Sequence, residues 1–185
     1  MKPGQQNLSW QYLRLFNYYR SALALFFLIL YLNGWTEQFI RPSDYDQQLF
    51  QWASVGYVAS CFAFMLSLHL HKPGLDTQVI IQTCVDIVVI IALMHASGGV
   101  RSGFGMLLII NLSLSSIFLT RRFTLFLAAT TSLALLGENI YSQLVLPEYR
   151  EAYVQTGILG IVIFTFAYLT SIIAQRMRES EQLAT

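Results

Sequence analysis

The chain has 185 residues, 55% of them hydrophobic and only 11% charged, where a soluble domain carries about 25% charge. A water-facing surface cannot be made from that composition, so lipid must cover most of the protein. Eleven Lys and Arg against ten Asp and Glu leave a net charge of +1, which excludes a global basic field for direct nucleic-acid binding.

At the amino end, "NLSWQYLRLFNYYR" sets Leu8, Tyr12, Leu15 or Phe16, and Tyr19 at helical spacing. That pattern predicts a short interfacial helix, within residues 1–20, that runs into the first span. About twenty residues of scattered polarity precede the apolar run, and "LNGWTEQF" after it offers no small-x-small cleavage site. The first helix is therefore expected to stay uncleaved.

Six stretches reach the roughly 20 residues a membrane-spanning helix needs, at about 17–36, 47–69, 78–97, 103–120, 123–146 and 153–175. The sequence thus predicts an all-α membrane protein: a six-helix transmembrane bundle over 21–175 with short loops. Only Asp86 and Glu138 are expected as charges inside the spans. Cys61 and Cys84 fall in apolar runs and read as small buried hydrophobes, with no disulfide framework and no metal site.

Counting Lys and Arg on alternate loops orients the bundle. With the amino terminus inside, Lys2, Arg14, Arg20, Lys72, Arg121, Arg122, Arg176 and Arg178 are cytoplasmic, against Arg41, Arg101 and Arg150 outside. Both termini are expected in the cytoplasm. The outer loops collect Glu37, Asp44, Asp46, Glu148 and Glu151. Trp10, Tyr18 and Tyr19 fall where the inner aromatic belt belongs, and Trp35, Tyr45, Trp52, Tyr149 and Tyr153 where the outer one does. Every loop is short, so whatever the protein detects or moves is met in the membrane or at its surface.

Asp86 sits mid-span in the third helix, where a charged carboxylate costs at least about 2.5 to 3.5 kcal/mol. Gln82 and Thr83 adjoin it, and Val79 and Ile90 continue its helical face. With no Lys or Arg in another span core, the expected partner is a polar group such as Asn111 or Asn139, water, or an external ligand. Structural hydrogen bonding and a sensing role both fit. Glu138, in "LLGENIYSQL", precedes Asn139, Tyr141, Ser142 and Gln143 and suggests either packing polarity or a ligand-facing site. Gly137 beside it is expected to allow close helix approach.

The two carboxylates could instead serve a small six-helix transporter or ion-coupled permease. Against that, residues 1–95 and 96–185 show no repeat. His95 lies near Ser97, yet Gly-x-Ser-Gly spacing is not met, and no HExxH, paired-aspartate or Cys/His metal motif occurs. Catalysis within this chain is not expected.

The stretch "ASGGVRSGFG" joins the third and fourth spans on the outer face. Gly98 and Gly99 permit positive φ for the reversal, and Gly103 and Gly105 let the fourth helix begin close to its neighbour. Arg101 at the apex can snorkel to phosphate or reach outer acids. At the other end, "AQRMRESEQLAT" carries the sixth span into water with no Gly or Pro to stop it. Residues 176–185 thus read as the start of a signalling helix, with Ile173 and Met177 as the beginning of a coiled-coil seam, or else as a frayed tail.

"DIVVIIALMHASGGVRSGFGMLLIINLSLSSIFLTRR" resembles the amino-terminal membrane region of the sensor histidine kinases that control type IV pilin transcription. The matching positions are Asp86, Ser97, Gly98, Gly99, Val100, Ser102, Gly103, Arg121 and Arg122. Weaker similarity covers the entire chain, through "RLFNYYR", "LNGWTEQ" and "YVQTGILG". The resemblance implies the input module of an inner-membrane, dimeric two-component kinase that senses pilin subunits through their apolar helix and acts through a response regulator. It implies ATP and Mg only in a kinase domain beyond residue 185, behind a PAS domain, and no cofactor in this chain. Asp86, Glu138, Asn111 and Asn139 are then the sensing candidates, and a purely structural subunit is the weakest alternative.

Overall fold

The computed structural model describes residues 3–34, 46–70, 75–145 and 152–183, with side chains over 14–34, 46–68, 77–144 and 152–177. Expectations for Lys2, Trp35, Glu37, Arg41, Asp44, Tyr45, Lys72 and Glu148 to Glu151, and for the side chains of Leu8, Trp10, Tyr12 and Arg178, lie outside these residues. Six α-helices are described: α1 Pro3–Leu32, α2 Gln47–Leu70, α3 Leu75–Ala96, α4 Gly105–Ser115, α5 Arg121–Val145 and α6 Tyr153–Leu183. All but α4 carry apolar stretches of 19 to 25 residues, long enough to cross hydrocarbon with every backbone group bonded within its own segment. The outer surfaces are covered in exposed Leu, Ile, Val and Phe. The chain is an all-helical, multi-pass membrane protein.

The amino-terminal segment and the first span form one unbroken helix, α1. Its apolar stretch begins at Arg14 and takes in Arg20, so among the described residues three charges, Arg20, Asp86 and Glu138, are buried inside the spans and not two. The helix ends where the Asn33 backbone N–H and Nδ2 both donate to the Ile29 carbonyl at 3.0 Å, followed by Gly34 at φ 65°. Asp46 caps α2: its Oδ1 accepts from the Leu49 N–H at 3.0 Å, and its own N–H donates to the Ala96 carbonyl at 2.9 Å. The start of α2 is thereby tied to the carboxyl-terminal end of α3.

The fourth span differs from the expected 103–120. Its α-helix has 11 residues, about 16 Å long, flanked by a 3₁₀ turn at Gly99–Ser102 and by tightened turns after Ser115. Here Ile117 and Phe118 donate three residues back, to Leu114 and Ser115. The cause lies in "SLSS": Ser115 Oγ donates to the Asn111 carbonyl and Ser116 Oγ to the Ser113 carbonyl. Such hydroxyls compete with the helical ladder.

Packing runs α1 on α2, α2 on α3, α3 on α4 and α5, and α4 on α6, with the broadest contact between α5 and α6. Phe27 of α1 meets Phe104 edge-on at 5.1 Å, and Phe16 meets Phe118 at 6.2 Å, so α1 brackets both ends of α4. Gly98 and Gly99 hold φ of 86° and 75°, as expected of the turn, and Arg101 is exposed beside them. Gly103, at φ 80°, has open space around it, while a Cβ on Gly105 would run into Leu159 of α6. Close approach therefore belongs to Gly105 alone, and Gly103 serves the backbone turn. Cys61 is buried, but Cys84 is exposed, because it points away from the α3 face that carries Asp86.

Candidate functional site

Two polar centres interrupt the apolar interior. The first lies on α3, where Gln78, Gln82 and Asp86 recur every four residues and so share one buried face. Opposite Asp86 stands Arg20 of α1. Its Nε donates to Asp86 Oδ1 at 2.8 Å, and Nη2 lies 2.6 Å from the same oxygen without the alignment of a hydrogen bond. Side-chain exposures are 0% and 1%, which makes this a fully desolvated ion pair.

Its surroundings compensate only part of the cost of burying two charges. The guanidinium lies 5.0 Å from the Phe64 ring centroid and 6.0 Å from that of Phe16. Tyr57 of α2 and Asn111 of α4, both buried, stand beside the carboxylate. Thr83 and Ser115 hydroxyls meet at 2.8 Å and tie α3 to α4 one turn below. Arg20 Nη1, Asp86 Oδ2 and the side-chain amides of Gln78, Gln82 and Asn111 find no hydrogen-bond partner among the described residues. The centre thus holds more polar capacity than the protein itself satisfies.

This corrects the expectation that no cation lies in another span core. Arg20 looks like a flanking charge because the longest apolar run starts one residue later. In the folded chain the apolar stretch around it passes into the membrane. Of the expected partners, Asn111 does stand beside Asp86, whereas Asn139, buried on α5, leaves both amide atoms without a hydrogen bond. Gln78 went unnoticed, although its spacing of four from Gln82 was a legible signal.

The second centre joins the carboxyl-terminal halves of α3 and α5. His95 Nδ1 lies 3.0 Å from Glu138 Oε1 and 3.1 Å from Ser142 Oγ, and Ser142 donates to Glu138 Oε1 at 2.8 Å. Both partners meet the same ring nitrogen. A nucleophile relay needs acid and hydroxyl on opposite nitrogens, so this triangle lacks that geometry. His95 was paired with Ser97 by sequence proximity, but the fold turns it toward α5. The Tyr141 ring packs 5.8 Å from the imidazole.

A groove of about 410 Å³ opens beside the triangle, with Leu49, Ala92, His95, Gly137, Glu138 and Tyr141 among its walls. Gly137 has nothing within 4 Å of where its Cβ would stand. Among the described residues no helix therefore packs close against it, contrary to expectation, and it instead lines the groove. Glu138 is 9% exposed, and its Oε2 has no hydrogen-bond partner among the described residues. On α6, Ile173 and Met177 share one exposed face.

The model of the PilS-like transmembrane domain family matches residues 2–184. Over 172 residues, 93% of this chain, the sequence is 30% identical to the sensor protein kinase PilS of Pseudomonas aeruginosa. The chain spans 32% of that relative's length. No solved structure matches it.

Proposed function

The chain belongs to the PilS-like transmembrane domain family, and from that premise we propose that it is the input module of a two-component sensor histidine kinase in the bacterial inner membrane. The ligand is a membrane-embedded helix, that of the pilin subunit. The output reaches pilin gene transcription through a response regulator. ATP and Mg act in a kinase domain beyond this chain.

The observation that carries this reading is the groove at His95 and Glu138. Ala92 and Gly137 leave a shallow wall against which a helix backbone can come close, as small residues do between membrane helices. Glu138 offers an unmatched oxygen to a donor on that helix. Its own helix, α5, packs along α6, where Ser132 Oγ donates to the Gly160 carbonyl at 3.3 Å. Displacing α5 therefore moves the helix that leads out of the membrane. The Arg20–Asp86 pair anchors the other half of the bundle as the fixed frame for that movement. Commitment of Asp86 to Arg20, together with the family, favours sensing over ion-coupled transport.

Both termini face the cytoplasm in this reading. Withdrawing buried Arg20 from the count of eight leaves seven inner cations against three outer ones, so the bias keeps its sign. Two copies pair through α6, with Ile173 and Met177 at the seam. The test places Asp86→Asn and Glu138→Gln separately in the full-length protein and follows a pilin-promoter reporter as pilin is supplied or withheld. Loss of pilin dependence in Glu138→Gln is expected. An unchanged response in both variants would overturn the site assignment.

A further inference from the structure

A second and larger groove, of about 900 Å³, lies at the opposite end of the bundle from the outer turn, between the start of α5 and the end of the α6 span. Arg121, Arg122, Phe123 and Phe126 form one wall, and Ser171 and Ala174 of α6 form the other. We propose that this groove binds the headgroup and upper acyl chain of an anionic phospholipid, of the phosphatidylglycerol or cardiolipin class.

Three features select that ligand. The groove sits at a membrane boundary, since the apolar stretch of α5 begins at Arg121 and that of α6 ends at Met177. Headgroups occupy this depth. Its charge is of one sign: two exposed arginines line it and, among the described residues, no carboxylate does. A zwitterionic ethanolamine headgroup would bring an ammonium with no acid to meet it, whereas a lone phosphate charge is complementary. The remaining lining is mostly apolar, and Phe123 and Phe126, 52% and 65% exposed, present rings to an acyl chain.

The basic wall is also positioned in advance. The Arg121 guanidinium lies 4.7 Å from the centroid of the Tyr168 ring on α6, which holds it across the gap between the two helices. The positive end of α5 adds the same sign of potential at its first turn. A phosphate bridging these arginines would link α5 to α6 at the point where α6 leaves the membrane.

The test uses native mass spectrometry of the full-length protein released from bacterial membranes into mild detergent. The wild type is expected to keep phosphatidylglycerol or cardiolipin as discrete mass increments while phosphatidylethanolamine is stripped. R121Q/R122Q should lower that retention by about 30-fold. R121K/R122K, which keeps the charge, should retain most of it and shows that the site tolerates substitution. The outer variant R101Q should retain it in full, and inorganic phosphate in large excess should displace nothing, because the buried acyl chain holds the lipid as well. Equal retention by R121Q/R122Q, equal loss in R101Q, or displacement by inorganic phosphate alone would each overturn the proposal.

Discussion

Arg20 and Asp86 lie 66 positions apart in the sequence and 2.6 Å apart in the folded chain, with side-chain exposures of 0% and 1%. An ion pair so completely removed from water is costly to form and more costly to break. Removing one partner leaves the other charged and buried, at about 3–5 kcal/mol. Arg20→Gln and Asp86→Asn are each expected to lower the melting temperature of the detergent-solubilised protein substantially. The double variant should lose less than the sum of the two. Additive losses would show that the two residues are not coupled.

Glu138 is held differently, by one histidine and one hydroxyl at its Oε1. Glu138→Gln keeps an oxygen for Ser142 and should cost little stability. Glu138→Ala leaves His95 and Ser142 without that acceptor and should cost about 1–3 kcal/mol. Thermal unfolding of both variants side by side checks the order, and a Gln variant as unstable as the Ala variant would contradict it.

Glycines 105 and 137 make a contrasting pair. A Cβ on Gly105 meets the tip of the half-buried Leu159 side chain, which must turn aside, so Gly105→Ala should destabilise by no more than about 1 kcal/mol. Gly137 faces open space, and Gly137→Ala should be neutral or stabilising by up to about 1 kcal/mol. Gly137→Leu should fold equally well and abolish the pilin response by filling the groove. A folded Gly137→Leu protein with a normal response would place the ligand elsewhere.

The turn between α3 and α4 depends on its glycine backbone. Gly98 and Gly99 sit at φ 86° and 75°, where a side chain is strained by about 1–2 kcal/mol. Gly98→Ala and Gly99→Ala should each lower thermal stability by that amount, as thermal unfolding of the two variants beside the wild type would show.

Orientation can be read from single cysteines introduced at Arg101 and Met177 in a variant carrying Cys61→Ala and Cys84→Ala. A membrane-impermeant maleimide added to intact spheroplasts should label position 101 and spare position 177. The reverse pattern would invert the topology.

The helical, membrane-embedded character of the chain was legible because bilayer thickness and the absence of charge over some twenty residues leave helices as the economical solution. The outer turn was legible for a local reason: only glycine takes positive φ without strain. The serine-rich end of α4 carried a signal that hydropathy alone hid, since Ser113, Ser115 and Ser116 are mild in polarity but compete for helical carbonyls.

By itself, the sequence determined the all-helical architecture, the chain positions of Asp86 and Glu138 as buried acids, and the resemblance that the family match supports. Only the tertiary structure decided their partners. Arg20 went to Asp86, His95 and Ser142 to Glu138, and Gly137 to an open groove instead of a helix contact. The physical reason is that helix periodicity fixes which residues share a face of one helix, while an ion pair depends on which faces meet. That is settled by packing among segments dozens of residues apart, and no local pattern in the chain encodes it.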